Sequence, residues 1–228
     1  MEFLINETVQ QSKREQAYHY LKEQIICRRL LPGSVLSEKQ LSAELNSSRT
    51  PIREAIQALI SEGLVVSIPS KGYLVSDITY ESITQLYEVR EYLERFAARQ
   101  AAIMIYPPQL KFMRQLCAEM AQQISAQDYH SLTCSDIVFH HTLIEASHNL
   151  ILQKLYSQIS GQIERITNLI SVNPSNIARS HHQHETLVQA LTAQDADAAE
   201  KIMQQHIAEN KLVHLKSFAP NIFGITRV

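Results

Sequence analysis

The apolar side chains of the first third of the chain follow two different spacings. They recur at helical spacing in residues 10–29 and in two shorter stretches after Gly33, and then alternate with polar side chains from Leu64 to Ile68. A turn sequence, Pro69 to Gly72, separates this run from Tyr73, Leu74 and Val75. The pattern therefore predicts three helices followed by a β-hairpin.

The two helices before the hairpin are short and closely connected. Leu41 and Leu45 give the first its apolar stripe, and Ser47 or Ser48 can cap the second, whose first turn contains Pro51. Two short helices and a hairpin in this order predict a winged helix-turn-helix, a module that places its second helix in a DNA groove.

The charges of this predicted module lie where DNA contacts are expected. Arg49 and Arg53 are four residues apart, so they share one face near the start of the second helix, and Lys71 lies at the hairpin tip. Arginine can bind phosphate or form a two-pronged bond to guanine. The alternative is a merely solvated helix face, which the surrounding helix-turn-helix pattern disfavours. The formal net charge is −2, so the DNA prediction rests on the placement of these side chains and not on a basic excess.

From Tyr80 onward the sequence predicts helices only. Helical periodicity runs through six stretches: 80–103, 107–125, 128–147, 149–172, 176–192 and 195–217. Six helices with short connections predict an antiparallel bundle. The predicted fold is therefore mainly α, with an N-terminal winged helix-turn-helix (1–76) followed by an all-helical domain (77–228).

Four side chains on the predicted apolar stripes of the bundle can ligate a metal ion. Asp136 and His140 lie four residues apart on one helix, and His184 and His206 lie on two later helices. Imidazole and carboxylate suit zinc, nickel, manganese or iron, and no cysteine pattern competes. The alternative is that these are hydrogen-bonded core residues. Four further histidines lie near these positions in the sequence and are interpreted as exposed or interfacial: His141, His148, His181 and His182.

Three motifs of the N-terminal part resemble the DNA-binding domain of GntR-type bacterial transcription regulators. They are residues 32–41, beginning Pro-Gly-Ser-Val-Leu-Ser-Glu, residues 48–55, Ser-Arg-Thr-Pro-Ile-Arg-Glu-Ala, and residues 62–65, Glu-Gly-Leu-Val. The resemblance implies DNA contacts from seven residues: Lys39, Ser48, Arg49, Thr50, Arg53, Lys71 and Gly72. The family commonly has Arg-Gly at the wing tip, so Lys71 keeps the charge but loses the forked donor.

The helical part resembles the FCD effector domain of the FadR-like branch of that family. Residues 136–149 and 184–206 carry this resemblance, together with the segment from Arg90 to Glu94. It implies that Asp136, His140, His184 and His206 bind a divalent metal, with zinc as the first choice. It further implies a small carboxylate effector that contacts Arg90 and, as a weaker candidate, Arg165. Both arginines could instead pair with glutamates such as Glu94 and Glu164.

The sequence therefore predicts a dimeric, metabolite-responsive transcription regulator, more specifically a repressor, that binds a pseudo-palindromic operator. Two alternatives stay open: a metal-dependent enzyme, and a regulator whose metal is purely structural. The N-terminus lacks a signal-peptide pattern and no stretch reaches the roughly 18 apolar residues of a membrane helix, so a cytoplasmic protein without membrane contact is expected.

Overall fold

The structure is a computed structural model that describes residues 11–169 and 173–222, with side chains up to 218. The chain divides into two compact units between Asp77 and Ile78, one residue from the predicted boundary. The predicted fold class is confirmed, and each unit is described by itself.

The N-terminal unit contains three helices and three strands. Its elements in chain order are α1 (Lys13–Ile26), β1 (Val35–Leu36), α2 (Glu38–Glu44), α3 (Arg49–Ser61), β2 (Val65–Ile68) and β3 (Gly72–Val75). Helix α1 begins with a capping box, in which Ser12 and Glu15 satisfy each other's backbone N–H groups. It ends three residues earlier than the periodicity predicts, because Arg28 adopts a left-handed conformation with φ of 61°.

The strands form an antiparallel sheet in the order β1-β3-β2. The hairpin pairs Val65 with Val75 and Ile68 with Gly72, as the alternation predicts. Strand β1, which pairs Val35 with Leu74, was missed, because a two-residue strand is too short to show a period. One apolar core joins α1, α3 and the sheet through fully buried side chains, among them Leu21, Ile52 and Leu64.

The C-terminal unit is helical throughout its described part. Its helices are α4 (Tyr80–Met104), α5 (Pro107–Ala126), α6 (Tyr129–Ala146), α7 (Leu150–Thr167), α8 (Pro174–Thr192) and α9 (Ala196–Ile222). Capping side chains explain most starts: Thr79 for α4, Asp128 for α6, Asn149 for α7 and Asn173 for α8. Pro107 and Pro174 occupy the first helical positions of α5 and α8.

Helix α4 is the central element of this unit, since it packs against α6, α7, α8 and α9. The core includes Tyr87 on α4, Phe139 on α6 and Leu187 on α8, all fully buried. Helix α7 was predicted to reach residue 172, but it ends at Thr167, and residues 170–172 lie outside the described residues. The inward faces of these helices also carry several histidines and charged residues, which therefore lie in the middle of the bundle.

Candidate metal centre and DNA-binding surface

Three histidines from three helices meet inside the helical unit. His140 of α6, His184 of α8 and His206 of α9 are each at most 2% exposed, and one ring nitrogen from each lies within 4.8 Å of the other two. The residues that share their faces are apolar core residues such as Phe139, whose ring centroid lies 4.3 Å from that of His184. The sequence-predicted histidines are therefore brought together on one point.

Hydrogen bonds to neighbouring side chains fix the tautomers of two of the three rings. His140 Nδ1 donates to Glu94 Oε2 at 2.5 Å, and His206 Nδ1 donates to the side-chain amide oxygen Oε1 of Gln183 at 3.1 Å. Each Nε2 then carries a lone pair, and these two nitrogens face each other at 3.3 Å. Two facing lone pairs repel unless a cation lies between them, and such outer hydrogen bonds are the usual support of metal-binding histidines.

The third ring has no hydrogen-bond partner among the described residues. Both Nδ1 and Nε2 of His184 are buried and unpaired. Burial, followed by the nearby His140 and His181, holds the pKa of His184 well below its usual range, and burial likewise lowers the pKa of His206. Because a buried unpaired nitrogen is costly, an ion that accepts its lone pair would remove the deficit.

Asp136 lies at the open side of this cluster. Its side chain is 26% exposed, with Oδ1 3.7 Å from His184 Nε2 and Oδ2 3.9 Å from His140 Nε2. Three imidazoles and one carboxylate form a donor set that suits a divalent transition ion. Asn210 Nδ2 lies 3.0 Å from His206 Nε2, so a bound ion would take over the lone pair that Asn210 now contacts.

Glu94 is the residue that sequence reasoning undervalued. It accepts from His140 with one oxygen, and with the other it accepts from Arg90 Nε at 2.6 Å and from the Tyr156 hydroxyl at 3.2 Å. Burial alone would raise the pKa of Glu94, but Arg90 and His140 outweigh it and lower the pKa to about 2. Spacing alone indicates the pairing of Glu94 with Arg90, because the two residues are four apart on one helix. It does not indicate the contact of Glu94 with His140.

A cavity of about 150 Å³ adjoins the cluster. His184, Asp136 and Arg90 line it, so the candidate ligands and the candidate effector contact open onto one space. Arg165, although buried in the last turn of α7, is not among the residues that line this cavity.

His181 departs from its interpretation as an exposed or interfacial residue. It lines the cavity with a side chain only 13% exposed, and its Nε2 donates to the carbonyl oxygen of Cys117 at 2.9 Å. The spacing from His184 could have revealed this position, because residues three apart on a helix lie near the same face. His182, by contrast, is 80% exposed.

The seven residues expected to contact DNA are all exposed in the N-terminal unit. Ser48 occupies the N-cap position of α3 without a side-chain cap bond, so its hydroxyl is not used by the helix end. Arg53 donates from Nε and Nη2 to the two carboxylate oxygens of Glu38, both at 2.8 Å. At the hairpin tip, Gly72 has a φ of 80°, a left-handed conformation that favours glycine.

Comparison with known proteins identifies the class of the protein. The family model of bacterial regulatory proteins of the GntR family matches residues 13–75, and that of the FCD domain matches residues 85–209, more than half of the chain. The chain belongs to the GntR family of transcription regulators and carries an FCD domain. The family consists of transcription regulators and therefore does not support an enzyme, which was one of the alternatives left open by the sequence.

Named relatives agree with this assignment. The chain is 28% identical over 87% of its length to the HTH-type transcriptional repressor RspR of Escherichia coli, of which it covers 87%. It is 31% identical over 74% of its length to the Nta operon transcriptional regulator of Aminobacter aminovorans, covering 79% of that protein. It is 26% identical over 77% of its length to the gluconate operon transcriptional repressor of Bacillus subtilis, covering 74% of it.

Solved structures share the fold. The Escherichia coli protein McbR/YncC superposes with a TM-score of 0.79 at 21% identity, covering 92% of this chain and all of that one. A GntR-type regulator from Rhodococcus superposes with a TM-score of 0.73 at 22% identity, covering 95% of this chain and all of that one. Within the described residues, no helix is long and apolar enough to cross a membrane.

Proposed function

We propose that the protein is a metabolite-responsive repressor that binds a pseudo-palindromic operator as a homodimer and is controlled through a metal-assisted site in its helical unit. The observation that carries this proposal is the convergence of three buried histidines, one with both ring nitrogens unpaired, beside a cavity. A soluble cytoplasmic location accords with this role.

In this proposal the ion is held by Asp136, His140, His184 and His206. Zinc is our first choice, because it is bound well by imidazole and carboxylate together, with nickel, manganese and iron as alternatives. When bound, the ion supplies positive charge and an open coordination position for a carboxylate oxygen. Glu94 and Gln183 orient the His140 and His206 rings, and the apolar core around them keeps water away from their outer faces.

The effector contact falls to Arg90 rather than Arg165. Arg90 lines the cavity while its Nε donates to Glu94 and its Nη1 donates to the Tyr87 hydroxyl at 3.2 Å, so the guanidinium has a fixed orientation and its other N–H groups can meet a ligand. Arg165 lies outside the cavity lining and takes a structural role in this scheme.

The DNA contacts are assigned to the exposed face of α3 and to the hairpin tip. Arg49 and Arg53 would read bases or neutralise phosphates, Ser48 and Thr50 would bind phosphates near the start of α3, and Lys39 would reach the backbone from α2. Lys71 and Gly72 would enter the adjacent groove, where Lys71 acts as a point charge without base readout.

A dimer is supported by a second apolar stripe on α4. Val89, Tyr92, Phe96 and Ile103 are between 43% and 72% exposed and recur at spacings of three, four and seven residues. This face points away from the core stripe of the same helix, and a second copy of α4 would cover it. Two winged units are what a pseudo-palindrome requires. Repression is favoured because several relatives, among them those of Escherichia coli and Bacillus subtilis, are named repressors.

Selection of DNA fragments tests the proposal. The purified protein is incubated with genomic fragments of its host, the bound fragments are sequenced, and binding is then measured before and after removal of metal with a chelator. We expect an inverted repeat in the bound fragments, a dimer in sedimentation, and DNA binding that changes when small carboxylic acids are added only with the metal present. A monomer that binds no repeated sequence would contradict the proposal.

The same experiment separates a regulatory metal from a purely structural one. If the metal only stabilises the bundle, the chelator lowers the melting temperature and no acid alters DNA binding. If it holds the effector, acids alter DNA binding of the metal-loaded protein and raise its melting temperature.

A further inference from the structure

The charges around the cavity restrict the kind of acid that it can bind. Of the described residues that line it, Arg90 is the only Arg or Lys and Asp136 is the only carboxylate. A buried charge without a partner is costly, so the charge of the ligand should match the charge that the site leaves over.

The charge of Arg90 is already matched. Glu94 is fully buried, and its Oε1 lies 2.6 Å from Arg90 Nε while its Oε2 accepts a hydrogen bond from His140, so the carboxylate is paired with the guanidinium. Arg90 and Glu94 therefore form a neutral pair, although the guanidinium can still donate hydrogen bonds into the cavity. An additional anionic group would meet no unpaired cation at this position.

The two histidines of the cavity wall that lie outside the ligand set add no net charge. His181 donates from Nε2 to a backbone carbonyl, and its Nδ1 lies 3.8 Å from Glu185, so any positive charge on its ring is balanced. Burial and Arg90 lower the pKa of His214 to about 3, so this ring is neutral. A divalent ion bound by three neutral imidazoles and by the Asp136 carboxylate gives the site one net positive charge.

The rest of the polar lining is neutral and able to both donate and accept hydrogen bonds. It consists of Tyr129, Thr133, Thr167, Asn173, Asn176, Ser180 and Asn210. Some of these groups already have partners within the chain, such as Thr133 with the Tyr129 carbonyl and Asn176 with Arg179. They keep further hydrogen-bonding capacity, which ligand hydroxyls can use and an alkyl chain cannot. The cavity volume is comparable to engineered cavities that hold benzene, so the ligand has roughly six to nine non-hydrogen atoms.

We propose that the effector is a hydroxylated monocarboxylic acid of three or four carbon atoms, and that the site discriminates against dicarboxylic acids. This inference rests on the proposed function, because it takes the metal-assisted site as given. It assigns one anionic group to the ion and the ligand hydroxyls to the neutral side chains of α6, α8 and α9.

Calorimetry with the zinc-loaded full-length protein tests the inference. The panel contains D-glycerate, L-lactate and threonate as hydroxylated monocarboxylates, propionate and butyrate as acids without hydroxyls, and malate and tartrate as dicarboxylates. We expect the best hydroxylated monocarboxylate to bind at least about tenfold tighter than any member of the other two groups, because a dicarboxylate brings an unmatched charge and an acid without hydroxyls makes fewer hydrogen bonds.

The possible outcomes distinguish an error in the predicted ligand selectivity from the absence of an effector site. If malate or tartrate binds as tightly as the best monocarboxylate, the charge argument is wrong while the metal-assisted carboxylate site stands. If propionate or butyrate binds as tightly, the assignment of the neutral lining is wrong. If no acid binds the zinc-loaded protein, the effector site of the proposed function fails, and this inference fails with it.

A matched pair of variants at Ser180 tests the charge argument directly. Ser180 lines the cavity one helical turn before His184, so a longer side chain there reaches the same space. Ser180→Lys adds a cation, and we expect it to raise the malate-to-glycerate affinity ratio by about tenfold. Ser180→Gln fills a similar volume without charge, and we expect the ratio to stay at the wild-type value. An unchanged ratio in the lysine variant, with zinc content preserved, would overturn the proposal.

Discussion

Each unit of the protein contains an arginine that is paired with a glutamate, and the two pairs differ in burial. In the N-terminal unit, Arg53 makes a two-pronged bond to Glu38 with its side chain 59% exposed. In the helical unit, Arg90 and Glu94 are 4% and 0% exposed. The first arginine is a candidate DNA contact, and the second is a candidate effector contact.

This difference decides what each arginine is free to do. Water and salt compete with an exposed ion pair, so a phosphate or a guanine can replace Glu38 at little cost. A buried pair has no such competitor, and separating it leaves an uncompensated charge in the core. The exposed pair is therefore exchangeable, whereas the buried pair is a fixed support for His140.

The largest effect is expected from breaking the buried pair. Glu94→Ala removes the partner of Arg90 and the acceptor of His140 Nδ1, so we expect the free energy of unfolding to fall by about 3–5 kcal/mol. Urea titration followed by circular dichroism measures the loss. The double variant Arg90→Met, Glu94→Leu removes both charges and should regain most of the stability; equal losses in both variants would show that the charge pairing is not the cause.

A smaller effect is expected on DNA affinity from the exposed surface. Arg49→Ala should weaken binding to a selected operator fragment by about 1–3 kcal/mol, because it removes a base or phosphate contact. Fluorescence anisotropy measures the affinity at fixed salt concentration. Metal content should equal that of the wild type, and Arg29→Ala, a change of an exposed arginine outside the recognition helix, is the matched control. Equal weakening by both variants would remove Arg49 from the recognition surface.

The buried His214 of the helical unit predicts that the stability of the protein depends on pH. Burial and Arg90 lower the pKa of His214 to about 3 in the folded protein, while the unfolded chain titrates near its ordinary value of 6.5. Between these two pH values the His214 ring is protonated in the unfolded state but not in the folded state. Its contribution to the free energy of unfolding is therefore fully present above pH 6.5 and is lost as the pH falls towards 3.

His214→Gln should therefore reduce the loss of stability between pH 7.5 and 5.5 by about 1.4 kcal/mol. Urea titrations of both proteins at the two pH values measure this difference, and the other histidines cancel because both proteins contain them. An identical pH dependence would mean that His214 is not held neutral by the fold.

The smallest effect is expected from the exposed pair. Glu38→Ala should leave the urea midpoint close to that of the wild type and far above that of Glu94→Ala, since Arg53 remains solvated without its partner. A midpoint shift as large as that of Glu94→Ala would remove the contrast between the two pairs.

Much of this arrangement follows from the sequence. Helical spacing places His184 on one face with Leu187 and Leu191, and that face is buried. Both the helix-turn-helix motif and the bundle follow from local patterns of this kind. Local patterns are sufficient where each helix has one apolar stripe, because burial of that stripe decides the packing.

The parts that were missed depend on contacts distant in sequence. Glu94 supports His140 across 46 positions of the chain, and no spacing rule connects them. His181 turns into the cavity because a backbone carbonyl of α5 accepts its proton. The α4 stripe carried by Tyr92 and Phe96 was overlooked, since a second apolar face on a helix that already has a buried face has no use within one chain.

The central claim is that Asp136, His140, His184 and His206 hold one divalent ion, and elemental analysis by mass spectrometry tests it most directly. The proteins are the wild type, the double variant Asp136→Ala, His206→Ala, and the control His182→Ala, which changes a histidine that is 80% exposed. We predict about one ion per chain in the wild type and the control and almost none in the double variant. Absence of metal from the wild type after incubation with zinc, nickel and manganese, or full metal content in the double variant, would contradict the account.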